Sequence, residues 1–137
     1  MIVVDTNVVA YLLMPGPHQA AVEAVRERDD DWRAPTLWQS EFRNVLTLCL
    51  RRKAMTLEVA LETWALAQEI MAPGETGVDG ALILARAQSL NLTAYDAEFA
   101  VLAETLDVPL VTLDGGILAA CAPRAVTPEG FLTGRRK

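Results

Sequence analysis

A chain of 137 residues, 52% hydrophobic and 22% charged, is one globular domain's worth and excludes a disordered polymer. No apolar run reaches the ~20 residues of a membrane span, and Met1-Ile2-Val3-Val4-Asp5 has neither the basic start nor the cleavage site of a signal peptide. Two cysteines and one histidine exclude a disulfide scaffold, a zinc cluster and a His-based triad, so reduced, buried thiols in a cytoplasmic protein are expected. Net charge is −6, but Arg51-Arg52-Lys53 and Arg135-Arg136-Lys137 hold six of the twelve cations, so the mean charge leaves nucleic-acid binding open.

In chain order, residues 1–5 are an apolar run closed by Asp5, the form of a buried strand. Val8–Leu13 stay apolar until Pro15-Gly16-Pro17 breaks the chain. His18–Arg28 follow helical spacing, with Ala21, Val22 and Val25 on one face, and Asp29-Asp30-Asp31 is a solvated turn. Trp32–Ala34 fit a second short strand ending at Pro35. Thr36–Lys53 and Thr56–Met71 are predicted helices, the latter capped by Thr56. Pro73-Gly74-Glu75-Thr76-Gly77 reads as a loop, and residues 70–78 show little strand pattern. Thr76 with Asp79 fits a capping box for a helix over Val78–Leu90. Asp96 opens the next helix, which runs to Leu106. Leu110–Leu113 is a strand ending at Asp114, after which Gly115-Gly116 leads into a short helix through Ala120. Short apolar strands alternating with helices predict one α/β domain, a parallel sheet covered by helices.

Ligands of open parallel sheets bind beyond the carboxyl ends of the strands. Asp5 and Asp114 both stand at such ends, although each would also serve as a helix N-cap. Glu41 is more telling. At about 100° per residue, Leu37, Trp38, Val45 and Leu48 fall within roughly 60° of it, so Glu41 lies inside the apolar stripe of its helix. An unpaired buried carboxylate is costly, and either a cation such as Arg86 or a metal ion must answer it. Asp96 adds a fourth carboxylate. Glu98 and Arg43, each about 200° round their helices from Asp96 and Glu41, are expected to point elsewhere. Four carboxylates without His or Cys suit Mg²⁺ or Mn²⁺ over zinc, and suit phosphodiester cleavage by metal-activated water.

Asp5-Thr6-Asn7 after a first strand, Glu41 with Asn44 on a mid-chain helix, Tyr95-Asp96-Ala97, and Leu110-Val111-Thr112-Leu113-Asp114 occur in this order. In this the chain resembles PIN domains, and more narrowly the VapC-type toxin ribonucleases of toxin–antitoxin pairs. The resemblance extends to about Leu132, giving a domain over 1–132 and a basic tail over 133–137. It implies a three-layer α/β/α domain on a parallel sheet of about five short strands. It also implies Mg²⁺- or Mn²⁺-dependent RNA cleavage, a homodimer, and inhibition by a cognate antitoxin protein. The family's acidic quartet falls on Asp5, Glu41, Asp96 and Asp114, with polar support from Asn7, Asn44 and Thr112. Gly115-Gly116 departs from the bulkier polar residues that relatives often carry there.

Other features have plainer readings. Arg51-Arg52-Lys53 complements a helix dipole, Trp38 and Trp64 belong to the core, and His18 sits at a helix start. A haloacid-dehalogenase-type phosphatase would need a second Asp where Asn7 stands, together with a catalytic Lys. The glycines at 74, 77 and 80 do not form a phosphate-binding loop. The remaining alternative is a non-catalytic PIN-like module that binds RNA or protein.

Overall fold

The structure, a computed structural model, describes residues 1–134, so Arg135-Arg136-Lys137 lie outside the described residues. Strand β1 (Ile2–Val4) is buried throughout, as an apolar run covered on both faces must be. It leads into α1 (Thr6–Leu13) and α2 (Gln19–Arg28), then β2 (Trp32–Arg33), α3 (Leu37–Arg51) and α4 (Leu57–Met71). After a 3₁₀ turn at Ala72–Gly74 come α5 (Gly80–Leu90), α6 (Ala94–Leu106), β3 (Leu110–Val111), α7 (Gly115–Cys121), β4 (Ala125–Val126) and α8 (Pro128–Thr133).

The strands pair in parallel in the order β2-β1-β3-β4, with Val3 opposite Arg33 on one side and Leu110 on the other. Helices α1, α3 and α4 pack on one another, while α6 packs on β1, β3, α5 and α7, giving the three-layer arrangement. The core joins Ile2, Val3 and Val4 to Trp38, Phe42, Met71, Phe99 and Leu102. Among the described residues, no helix is long and apolar enough to cross a membrane.

The sheet has four strands where about five were expected. The missing one is reduced to a single parallel bridge between Ala34 and Glu75, in which Thr76 N donates to Ala34 O at 3.0 Å and Ala34 N to Gly74 O at 3.3 Å. Pro73 has no N–H to give a ladder, and the 3₁₀ turn occupies Ala72–Gly74, so one residue pairs and the strand stops. Glu75 fastens this segment to α3, its Oε1 accepting from Trp38 Nε1 at 2.8 Å and Gln39 Nε2 at 2.6 Å.

Several helix starts also differ from expectation. Asp79 alone caps α5, accepting from Ala81 N at 2.9 Å, while the Thr76 hydroxyl donates to Gly74 O. Thr93 caps α6, which leaves Asp96 inside the first turn. Strand β4 and α8 were not anticipated, although Thr127 as cap with Pro128 at the first helical position is a readable start signal. Thr56 caps α4 as expected. Cys49 and Cys121 are free thiols, half-buried rather than buried. The side chain of Trp64 is likewise only partly covered, between Trp38 and the guanidinium of Arg43.

Gly74 sits where a Cβ would come within 1.8 Å of Trp32 O, whereas one at Gly77 would meet nothing within 4 Å. Gly74→Ala is therefore expected to force the 74–76 segment off β2 and cost roughly 1–3 kcal/mol, the range for overpacking. Gly77→Ala should leave stability unchanged or slightly raised, through a less flexible unfolded chain. Thermal denaturation of the two variants beside the parent protein reads this difference.

Candidate acidic site

The chain turns sharply from β1 into α1, and Asp5 makes the turn. Its Oδ1 accepts from Thr6 N at 2.8 Å, capping the helix, and its Oδ2 accepts from Thr112 Oγ1 at 2.7 Å. The Thr112 hydroxyl also accepts from Asp114 N at 3.0 Å, and Asp114 Oδ1 caps α7 through Ile117 N at 2.9 Å. For Asp5 and Asp114 the cap role and the site role thus coincide in one side chain.

Glu41 reaches the same place from α3, its Oε1 accepting from Thr6 Oγ1 at 2.7 Å. Sequence reasoning assigned Thr6 no role, although Thr6 lies inside the Asp5-Thr6-Asn7 motif. It ties the third helix to the end of β1. Asp96 enters from the first turn of α6.

Burial is the main reason that Asp5, Glu41 and Asp96 are all held above the ordinary carboxylate range. The hydrogen bonds from Thr112 and Thr6 pull Asp5 back down, while the charges of Asp96 and Asp114 push it up. Glu41 feels Asp5, Asp96 and also Glu98, and Asp96 feels Asp114. The carboxylates of the quartet therefore lie within range of one another's fields, at the carboxyl ends of β1 and β3. Glu98, expected to point elsewhere, acts on Glu41 and is itself raised by burial.

No protein cation offsets this charge. The ion pairs Met1–Asp29, Arg33–Asp31, Arg86–Glu104 and Arg124–Asp107 all lie elsewhere. Arg86, the candidate partner of Glu41, is engaged by Glu104 at 3.0 Å on an exposed surface. Among the described residues, no three Asp, Glu, His or Cys side chains are gathered closely enough to enclose an ion. Like charges without a counter-ion stand apart, which is how these four are found. The donor set, oxygen throughout, fits a hard divalent cation. So does the amide oxygen of Asn7, buried with no hydrogen-bond partner. Asn44 is exposed one turn beyond Glu41. The exposed Arg51-Arg52-Lys53 run closes α3.

A parallel α/β domain with an unneutralised acidic crevice at its strand ends is the class that fold and site define. The family model of the PIN domain matches residues 2–122, and the chain belongs to the PIN-domain family, whose members are generally nucleases. Among solved structures, it is similar to PAE2754 from Pyrobaculum aerophilum, with a TM-score of 0.71 at 22% identity over 96% of this chain and 92% of that one. It is also similar to FitAcB from Neisseria gonorrhoeae, with a TM-score of 0.69 at 21% identity over 94% of this chain and 99% of the other. At such identities the likeness is one of fold. No curated protein matches the chain.

A carboxyl with a raised folded-state pKa binds its proton more tightly when folded. Its contribution favours the fold at low pH and is lost as pH rises from the ordinary carboxylate range through the raised value. Asp96→Asn removes one such group and its repulsion of Asp5 and Glu41. In metal-free buffer the variant is expected to melt a few degrees above the parent near neutral pH, the gain staying small because Asp96 is partly exposed. The gain should vanish toward roughly pH 4, where the carboxyls are protonated in either state. Melting curves across that range measure it.

Proposed function

We propose that this protein is a divalent-metal-dependent endoribonuclease, the toxin of a toxin–antitoxin pair, acting in the cytoplasm through Asp5, Glu41, Asp96 and Asp114. The observation that carries the reading is the unneutralised carboxylate set at the strand ends of a PIN-family chain. Asp5, Glu41, Asp96 and Asp114 would hold Mg²⁺ or Mn²⁺, which when bound supplies water of lowered pKa and stabilises a leaving oxygen. The residues' own tasks can be stated. Asp5 is locked by Thr6 N and Thr112 Oγ1, so its orientation is set before substrate arrives. Glu41 is oriented by the Thr6 hydroxyl, and its raised pKa fits it to exchange a proton nearer neutrality than a free carboxyl can. Asn7 offers its unpartnered amide oxygen beside Asp5, and Asn44 extends the polar edge of α3.

The partners follow from charge and surface. An acidic crevice attracts a basic segment, and Arg pairs bidentately with carboxylates, so a cognate antitoxin placing an Arg there would block RNA and cation together. Leu57, Leu61 and Leu66 on α4, at 62%, 57% and 50% exposure, offer an apolar face for such a partner. Leu82 and Leu84 on α5 offer a separate one for a second copy of the chain.

The test is RNA cleavage by purified protein with Mg²⁺, with Mn²⁺, and in excess chelator. Cleavage is expected only with cation, and Asp5→Asn or Asp96→Asn should reduce it by at least about a hundredfold while the fold persists. Millimolar Mg²⁺ should raise the melting temperature of the parent by mass action, and do so less in either variant. Cleavage at the parent rate by Asp96→Asn, or undiminished in chelator, would refute the assignment. RNA binding without any cleavage would favour the non-catalytic module.

A further inference from the structure

A cavity of about 910 Å³ opens at the end of the sheet opposite the acidic crevice. Val108, Pro109 and Leu110, the residues entering β3, line it, whereas Asp5 and Asp114 follow the strands, and none of the four crevice carboxylates reaches it. Its volume lies in the upper part of the range for small-molecule pockets, roughly 300–1,000 Å³. The interior is apolar, built on Leu90, Leu110, Val126 and Phe131, and the small side chains of Ala100 on α6 and Ala120 on α7 leave it open.

The polar lining has one dominant sign. Arg28, Arg86 and Arg124 stand against two carboxylates, Glu104 and Asp107, in a chain whose net charge is −6. Arg86 gives Nε to Glu104 at 3.0 Å, one of its five N–H donors. Arg124 is held in place, Nη1 donating to Val108 O at 3.2 Å and Nη2 to Asp107 at 3.1 Å. A guanidinium fixed by backbone carbonyls at the mouth of an apolar cavity is preorganised for an anionic head group. The concave shape favours a molecule that enters over a flat protein face, and the sign of the lining disfavours a cationic one.

We propose that this cavity binds an amphipathic organic anion, its apolar body against Leu110, Val126 and Phe131 and its acidic head on Arg86 and Arg124. The inference does not rest on the nuclease reading and is tested without it.

The full chain is titrated with 8-anilinonaphthalene-1-sulfonate as fluorescent probe, and dodecanoate, dodecanol and dodecylamine compete for the site. Amide shifts in the nitrogen–proton correlation spectrum locate the binding. One saturable site is expected, with dodecanoate displacing the probe at least about tenfold more effectively than dodecylamine, and shifts centred on Leu110, Cys121 and Phe131. Arg86→Gln changes an exposed ion pair and keeps the fold; it should weaken dodecanoate about tenfold, the size of one charge-assisted hydrogen bond. Arg124→Gln should do the same, with its melting curve checked because Arg124 also holds backbone carbonyls. The proposal is overturned if there is no saturable site, or if the amine or an RNA oligomer competes as well as the acid. Shifts confined to Leu57 and Leu61 of α4, or unchanged dodecanoate affinity in Arg86→Gln, would overturn it too.

Discussion

The buried hydroxyl of Thr112 joins the two strand ends on which the acidic crevice is built. It gives its proton to Asp5 Oδ2 at 2.7 Å and takes one from Asp114 N at 3.0 Å, spanning 107 residues of sequence in the first bond and two in the second. Thr112 has no exposed surface, so water cannot replace either partner. Hydrogen bonds to charged groups contribute about 1.5–3 kcal/mol, and loss of a buried one leaves Asp5 unsatisfied as well. Position 112 therefore requires a side chain that both donates and accepts, which Val, of the same shape, does not. The β1 turn, the β3 turn, the α1 cap and the α7 cap all meet at this one oxygen and its two neighbours.

Around that joint the molecule holds two opposed tendencies. The three-layer fold places β1 and β3 side by side at the centre of the sheet, with the residues that follow them converging on one crevice. Those residues are acids that burial and mutual repulsion hold above their ordinary range. The apolar core, from Val3 and Val4 through Trp38 and Phe99, supplies the stability against which this repulsion is tolerated. Such local inconsistency between charge and burial is where a sequence departs from what folding alone would select.

What was legible in the sequence depended on whether one element sufficed to decide it. Glu41 could be read because a carboxylate inside an apolar stripe is anomalous on a single helix, and Thr56 because a cap stands directly before its periodic run. Glu98 could not be read this way. Its angle on α6 turns it from Asp96, yet the crevice is walled by α3 as well, and Glu98 acts on Glu41 from across it. Leu48, in the same stripe as Glu41, is 40% exposed, so the stripe reaches beyond the surface that covers it. Strand β4 has two residues and no period to detect, and its identity comes only from pairing with Leu110 and Val111. The expected fifth strand failed for a local reason, Pro73 and the 3₁₀ turn, which no pattern of apolar residues encodes. The four acids were found as candidates; the threonines that orient them emerged only when strands distant in sequence were brought together.

The same two helices serve both ends of the sheet. Asp96 begins α6, and Ala100 and Glu104, one and two turns later, wall the cavity at the far end. Asp114 caps α7, and Ala120 and Cys121 close that helix against the same cavity. The thiol of Cys121 is pushed up by burial first, then by the charges of Glu104 and Asp96, so the electrostatic influence of Asp96 extends to the cavity wall. A helix is stiff over two turns, and packed interiors transmit displacement rather than absorb it. The spacing between α6 and α7 is thus one geometric variable common to both sites. It sets the width of the cavity at Ala100 and Ala120, and the separation of Asp96 from Asp114 at the crevice.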